Sequence, residues 1–190
     1  MEFDETVAVS LKGQSQHHVA IFVASCAERM VQLFTGLLGA DSRRISDVDT
    51  VVRLQGMLWD MDAPADSFQA HVTSLDGFQE LLPSDEEISD VVGIYSFYSV
   101  LSLRYAALYR ASGQVEDALK CAHACLTGMG QLDQNLPESL HFAHEGDLQQ
   151  QTVFMPQLEA TNSAVLSRLK ERDRAVGRKR LEAIRNRMER

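Results

Sequence analysis

Three cysteines and one histidine supply residue types that bind metal ions. Cys121, His123 and Cys125 lie within five consecutive positions, and Cys26 stands far upstream. Residues four apart share one face of a helix, so we expect the two thiols to face together and His123 to point elsewhere. Because a structural zinc ion needs four converging ligands, the sequence predicts no metal and no cofactor. Three cysteines cannot all pair within one chain, which is typical of free thiols in the reducing cytoplasm.

A second group of polar residues has a spacing close to that of a metal site. His141, His144 and Glu145 form an HxxHE sequence, but the zinc-protease signature places its glutamate between the two histidines. We therefore interpret residues 133–151 as a polar loop with one short helix after Pro137. No GxSxG motif and no glycine-rich phosphate loop occurs in the chain. The sequence favours a protein without enzymatic activity, although it leaves an enzyme open.

The remaining candidates are polar and aromatic side chains inside apolar segments. Glu28 and Arg29 are adjacent, so on a helix they point about 100° apart and do not pair with each other. They form either a structural ion pair with neighbouring helices or an acid with an electrostatic partner. Convergence of the candidates in one concave site would indicate a ligand pocket or an enzyme. The candidate functional cluster consists of Glu28, Arg29, Trp59, Asp60, Tyr95 and Tyr98.

The charge of the chain is distributed unevenly. Residues 168–190 carry ten Arg or Lys and four Asp or Glu, whereas residues 1–167 carry 8 and 23. The field of this acidic body would repel phosphates and attract a basic partner. The basic tail contains no aromatic residue for base stacking. We therefore expect a basic protein as the partner, and we do not expect nucleic acid.

Apolar residues recur at three- and four-residue steps along most of the chain, which predicts an all-α fold. We expect one domain, a bundle of six or seven helices. Residues 1–15 are predicted to be a loose lead-in, 16–169 the helical domain, and 170–190 a charged basic helix that extends into solvent or packs on a partner. The predicted helices span about 16–38, 42–61, 66–82, 90–112, 114–132, a short helix after Pro137, and a last helix that begins at 152–156.

The segment 90–112 is apolar on nearly every face, which is typical of a buried central helix. A start at Ser84 is also open, because Ser84 and Glu87 have the spacing of a capping box. Arg104 lies inside the segment and opposes a membrane span. A Ser112-Gly113 turn then leads into the next helix, so we expect a buried antiparallel hairpin at the centre of the bundle. The acidic N-terminus does not resemble a secretory signal, and we predict a cytoplasmic protein.

The order of several motifs resembles that of the bacterial YjaG-like proteins, a family of unknown function. The run HVAIFVASCAERM from His18 resembles the family's FxAxxCERM motif, with Ala27 inserted before the glutamate. Leu58-Trp59-Asp60 is similar to a Leu-Trp position of the family, FQELLPSDEE from Phe78 to its FEEAIPS-acidic stretch, and the segment 92–98 to its G-x-Y opening of a helix. The likeness covers about residues 16–130. It implies an all-helical domain and no particular reaction.

The acidic body, the missing catalytic constellation and the charged tail together predict a cytosolic interaction protein of the adaptor or immunity type. Electrostatic steering would bring a basic partner to it. We also expect self-association through the C-terminal helix, and we do not expect binding to a membrane. The alternative is a small-ligand-binding protein or an enzyme with an inter-helix pocket near Glu28, Arg29, Asp60 and Tyr95.

Overall fold

The computed structural model describes residues 2–82, 90–136 and 139–189, and the chain is all-helical throughout these ranges, as predicted. The described ranges hold more helices than the six or seven expected, because the lead-in and a short segment before the last helix are also helical. The helices are α1 Glu2–Lys12, α2 Gln16–Leu38, α3 Ile45–Leu58, α4 Ala65–Asp76, α5 Val91–Ser112, α6 Val115–Asn135, α7 His141–Val153, α8 Gln157–Ala160 and α9 Ser163–Met188, with a 3-10 turn at Ser42–Arg44 before α3. The expected capping box at Ser84 and Glu87 and the helix start at Pro137 lie outside the described residues.

The helix at the centre of the bundle is α2, and this corrects the expectation that α5 occupies that place. Of the 23 residues of α2, 17 are buried, whereas α5 buries 9 of 22. The helices α3, α5, α6, α7 and α9 all pack against α2. The average hydropathy of the two helices is nearly equal, and only the neighbouring helices decide which faces are covered.

The hairpin of α5 and α6 is present, but it lies beside α2 and not at the centre. Gly113 ends α5 in the left-handed region with φ 71°, where a residue without Cβ is favoured. Its N–H donates to the carbonyl of Tyr109 at 2.7 Å. Small side chains on α5, such as Ser99 and Ala106, are buried, whereas Tyr98 and Leu101 are only partly buried. The small residues therefore face the core, and several large apolar residues face outward.

The first residues of the chain do not form a loose lead-in. They form α1, which packs against α6 and α7. Val7 and Leu11 of this helix are buried, and they are four residues apart, as one helical face requires. The segment was misjudged because its apolar residues recur at helical spacing over only one short stretch, which Gly13 follows closely.

The basic tail is an integral part of the bundle, which corrects the expectation of a projecting extension. It forms the second half of α9, and α9 packs along α2. Asp173, Gly177, Arg180 and Ile184 are buried in this contact. A Cβ atom at Gly177 would lie 2.5 Å from the carbonyl oxygen of Arg29, so the two helix backbones approach very closely. Periodicity of apolar residues missed this face because two of its buried residues, Asp173 and Arg180, are charged.

Two helices, α2 and α5, are long and apolar enough to cross a membrane by length and composition alone. Core helices of water-soluble bundles share both properties. In the most apolar window, 72% of α2 and 44% of α5 is buried within the chain. Arg104, the charged residue inside α5, forms an ion pair with Asp76 of α4. The burial of α2 favours the role of a core helix.

Candidate functional site

The deepest polar site of the described chain is an ion network between α2, α7 and α9. Arg29 of α2 and Glu145 of α7 are both fully buried. Arg29 donates from Nε to Glu145 Oε2 at 2.9 Å and from Nη2 to Oε1 at 2.7 Å. Its Nη1 donates to Asp173 Oδ1 of α9 at 3.1 Å. Paired hydrogen bonds of this kind add geometric specificity to charge attraction, so the network fixes how the three helices meet.

Further donors surround both carboxylates of the network. Arg180 Nη2 donates to Glu145 Oε2 at 2.8 Å, and Gln149 Nε2 donates to Oε1 at 2.9 Å. Arg172 Nη2 donates to Asp173 Oδ1 at 2.8 Å. Burial would raise the pKa of Glu145, but the charges of Arg29 and Arg180 outweigh burial and lower this pKa to about 2. Glu145 is therefore held as a carboxylate and is not a proton carrier near neutral pH.

A second buried carboxylate, Glu28, joins α2 to α3 and α9. Its Oε2 accepts from Gln55 Nε2 at 2.8 Å and from Trp59 Nε1 at 2.9 Å. Its Oε1 accepts from Arg174 Nε at 3.0 Å. Glu28 and Arg29 thus do not pair with each other, as their 100° offset on one helix predicts. Both bond α9, but Glu28 also bonds α3 whereas Arg29 also bonds α7.

The residues of the candidate functional cluster do not converge in one place. Glu28 and Trp59 contact each other, whereas Arg29 belongs to the separate network with α7. Asp60 follows the end of α3 and is exposed. The hydroxyl of Tyr95 accepts a hydrogen bond from the side-chain amide of Asn135, at the end of α6, at 3.3 Å. No pocket that gathers Glu28, Arg29, Asp60 and Tyr95 is found among the described residues.

Three buried thiols lie next to the Arg29 network, where α2 crosses α6. Cys26, Cys121 and Cys125 are all free and buried. The Sγ atoms of Cys26 and Cys125 lie within 4.8 Å of each other, and the Cys125 thiol donates to the carbonyl oxygen of Cys26 at 3.7 Å. Cys26 also accepts from Arg29 Nη2 at 3.4 Å. Burial would raise the pKa of Cys26, but hydrogen bonds from Cys121 and Cys125 and the charge of Arg29 lower it to about 5. His123 is exposed on the other side of α6, as its spacing predicts.

Sequence reasoning missed Cys26 and Glu145 as members of these sites. The interpretation of 133–151 as a polar loop was wrong over most of its length, because His141–Val153 forms α7. His144 is exposed, while the next residue, Glu145, turns inward. A usable signal existed: Leu148, Thr152 and Val153 follow Glu145 at helical spacing and are buried with it.

The most apolar cavity of the described chain is a groove between α1, α5 and α6, with a volume of about 560 Å³. We call it the apolar groove. It includes Tyr98, the sixth residue of the candidate functional cluster. Its signal in the sequence was the surplus of apolar residues on α5, which more than covers one core face. The groove is lined by Glu5, Ala8, Tyr98, Leu101, Tyr105, Leu119, Lys120, His123, Ala124 and Thr127.

Comparisons of the chain with protein-family models, with curated proteins and with solved structures find no match. The resemblance to the YjaG-like proteins therefore stays a prediction.

Proposed function

We propose that this chain is a non-enzymatic interaction protein that binds an apolar segment of a basic partner protein in the apolar groove. The observation that carries the proposal is the groove itself, because a concave surface lined mainly by apolar side chains is typical of a binding site. Tyr98, Leu101 and Tyr105 supply one wall from α5, and Leu119 supplies the other from α6. A groove of this kind suits the apolar face of an amphipathic helix.

The charge around the groove supports a basic partner. Glu5 lies at its edge on α1, and Glu116 is exposed one turn from Lys120 on α6. Asp117 forms an ion pair with Lys120 at 3.6 Å, so the main cation of the groove is already partly neutralised. Together with the acidic excess of residues 1–167, this charge would steer a positively charged segment towards the groove.

The buried carboxylates favour a non-enzymatic role over a catalytic one. A general acid or base must reach a substrate with a proton to give or take. Glu145 and Glu28 are instead fully buried and held by arginine side chains. We extend the proposal to an adaptor- or immunity-type protein of the bacterial cytosol with a YjaG-like domain, since three free thiols suit a reducing compartment.

A second candidate function is the binding of a small apolar molecule in the same groove. Its volume of about 560 Å³ falls within the range of small-ligand pockets. Lys120 at the edge of the groove would then face the polar end of that molecule. This candidate differs from the inter-helix pocket expected near Glu28, because none of Glu28, Arg29, Asp60 and Tyr95 lines the groove.

Site-specific photo-crosslinking in the native cell tests the proposal. A photoreactive amino acid at Leu119, inside the groove, is expected to give discrete protein adducts, and mass spectrometry should identify a basic segment of the partner in them. The same amino acid at Val52, an exposed apolar position on α3, serves as the matched control and should give none. Leu101→Asp places a charge in the groove and should abolish the adducts at Leu119.

The type of adduct at Leu119 distinguishes a protein partner from a small apolar ligand. Adducts with the mass of a lipid or metabolite, in place of protein adducts, would support the small-ligand candidate. Equal adduct patterns at Leu119 and Val52 would contradict both candidates, because binding would then have no preference for the groove.

A further inference from the structure

We propose that a groove formed by the end of α7, the α7–α8 loop, α8 and the first half of α9 binds a long-chain carboxylate, that is, a free fatty acid. We call it the arginine groove, because Arg168 and Arg172 line it. Its volume of about 690 Å³ falls within the range of small-ligand pockets. It shares no described lining residue with the apolar groove, so this inference is independent of the proposed protein partner.

One face of α9 supplies the positive charges of the arginine groove and part of its apolar surface. Val165, Arg168, Leu169 and Arg172 line the groove, and their steps of three and four residues place them on one side of the helix. The two arginines are four residues apart, which is about 6 Å along the helix axis. A carboxylate bound by these guanidinium groups would therefore have apolar side chains directly beside it.

The loop between α7 and α8 supplies more apolar surface. Phe154, Met155 and Pro156 are consecutive in the lining of the groove. Phe154 is 57% exposed, although burial of a phenyl ring is favourable. An alkyl chain in the groove would remove part of this apolar surface from water.

The charge of Arg172 is not required by the buried ion network. The buried Arg29 and Arg180 already balance the buried carboxylates of Glu145 and Asp173. Arg172 donates to Asp173 as well, but its side chain is 33% exposed and reaches the groove. Its positive charge is therefore available to a ligand.

The net charge of the groove suits a ligand with a single negative charge. Arg168 is exposed and forms no hydrogen bond or ion pair with the rest of the described chain. Glu159 of α8 is the acidic residue among the described lining residues. Two arginines against one glutamate leave one positive charge, which one carboxylate would neutralise. Arginine is well suited to this task, since its planar guanidinium binds a carboxylate at two points.

The uncharged polar lining favours an alkyl chain over a peptide segment. A peptide brings N–H and C=O groups that need hydrogen-bond partners when they are buried. Among the described lining residues, Gln151 and Thr152 have uncharged polar side chains. Gln151 already accepts from Arg172 at 3.3 Å, and the Thr152 hydroxyl donates to the carbonyl oxygen of Leu148 at 2.9 Å. A methylene chain needs no such partners.

Fluorescence titration of the full-length protein with cis-parinaric acid, a fluorescent long-chain fatty acid, tests the site. We expect saturable binding of one molecule per chain, below the concentration at which the acid forms micelles. Oleate should displace the probe about tenfold more strongly than oleyl alcohol, which lacks the charge that the arginines bind. Equal displacement by oleate and oleyl alcohol, or no saturable binding, would overturn the proposal.

Charge reversal tests the part of Arg168. Arg168→Glu should weaken binding of the probe about tenfold or more, because a hydrogen bond between charged groups is lost. Arg178→Glu is the matched control, since Arg178 is an exposed arginine of the same helix outside the lining of the groove, and it should not change the affinity. Phe154→Ser should weaken binding through the lost apolar contact. Equal affinities of Arg168→Glu and Arg178→Glu would overturn the proposal.

Two further results would assign the ligand or the groove differently, and both would overturn the proposal. If Leu101→Asp weakens binding of the probe and Arg168→Glu does not, the fatty acid occupies the apolar groove. A photoreactive amino acid at Phe154, activated in the native cell, should give adducts with the mass of a fatty acid. Protein adducts in their place would mean that the arginine groove holds a protein segment.

Discussion

Arg29 of α2 and Glu145 of α7 form a two-point ion pair at the centre of the bundle, with Nε–Oε2 and Nη2–Oε1 distances of 2.9 and 2.7 Å. Both side chains are inaccessible to solvent. The partners are 116 positions apart in the sequence, so the pair forms only when the tertiary structure does.

Removal of one partner of the pair should strongly destabilise the fold. Arg29→Ala leaves the carboxylates of Glu145 and Asp173 in the core without their shared guanidinium. The expected loss is about 3–5 kcal/mol in the free energy of unfolding, because a buried charge then lacks its partner. Urea unfolding followed by circular dichroism measures it.

The matched control for this variant is the surface ion pair of Arg43 and Asp41, where the Arg43 side chain is 86% exposed. Arg43→Ala should leave the urea midpoint unchanged, since exposed ion pairs contribute little. Equal midpoints for Arg29→Ala and Arg43→Ala would show that the buried network does not stabilise the fold.

Acid should destabilise the protein through Glu145. The pKa of this residue falls from the usual 4.5 to about 2 in the folded chain, so the unfolded state takes up its proton first as the pH falls. The stabilisation by Glu145 is fully present above pH 4.5 and is lost progressively as the pH falls to about 2. Urea midpoints measured across this pH range should decline.

Glu145→Gln is the reference for the acid experiment, because it removes the titrating group and keeps the size of the side chain. Its urea midpoint should be lower at neutral pH and should depend less on pH between 4.5 and about 2. If the variant and the original chain lose stability with the same slope, Glu145 is not the group responsible.

The close approach of α9 to α2 should make Gly177 intolerant of any side chain. Gly177→Ala would place a Cβ atom 2.5 Å from the backbone oxygen of Arg29, and we expect a loss of about 1–3 kcal/mol from this overpacking. Gly56→Ala on α3 is the control, since its Cβ atom would meet nothing within 4 Å. Alanine should stabilise that helix by up to about 1 kcal/mol. Thermal unfolding of both variants should show a lower unfolding temperature for Gly177→Ala and a higher one for Gly56→Ala. A stabilised Gly177→Ala variant would contradict the observed helix contact.

Deletion of residues 170–190 separates the observed packing from the projecting extension that the sequence suggested. The deletion removes Asp173 and Arg180, which are both buried, and exposes the face of α2 that α9 covers. We expect the truncated chain to lose its cooperative unfolding transition. A truncated chain that unfolds at the original temperature would mean that the tail does not belong to the folded domain.

The sequence by itself determined the helical class and many helix boundaries. The prediction of a helix at 16–38 matches α2, Gln16–Leu38, and the turn at Gly113 matches the left-handed end of α5. These features depend on neighbours a few residues away. Periodic side chains, caps and glycine conformations act over one or two helical turns, so they can be predicted without knowledge of the fold.

Only the tertiary structure decided which helix is central and which residues share a site. The two apolar helices α2 and α5 differ in burial because of what packs around them, and hydropathy carries no such information. Glu145 and the charged face of α9 appear solvent-exposed in the sequence, since an ionised side chain enters the core only with a partner. That partner, Arg29, is distant along the chain. The contact between the buried Cys26 and Cys125 has the same origin, because these residues meet only where α2 packs against α6.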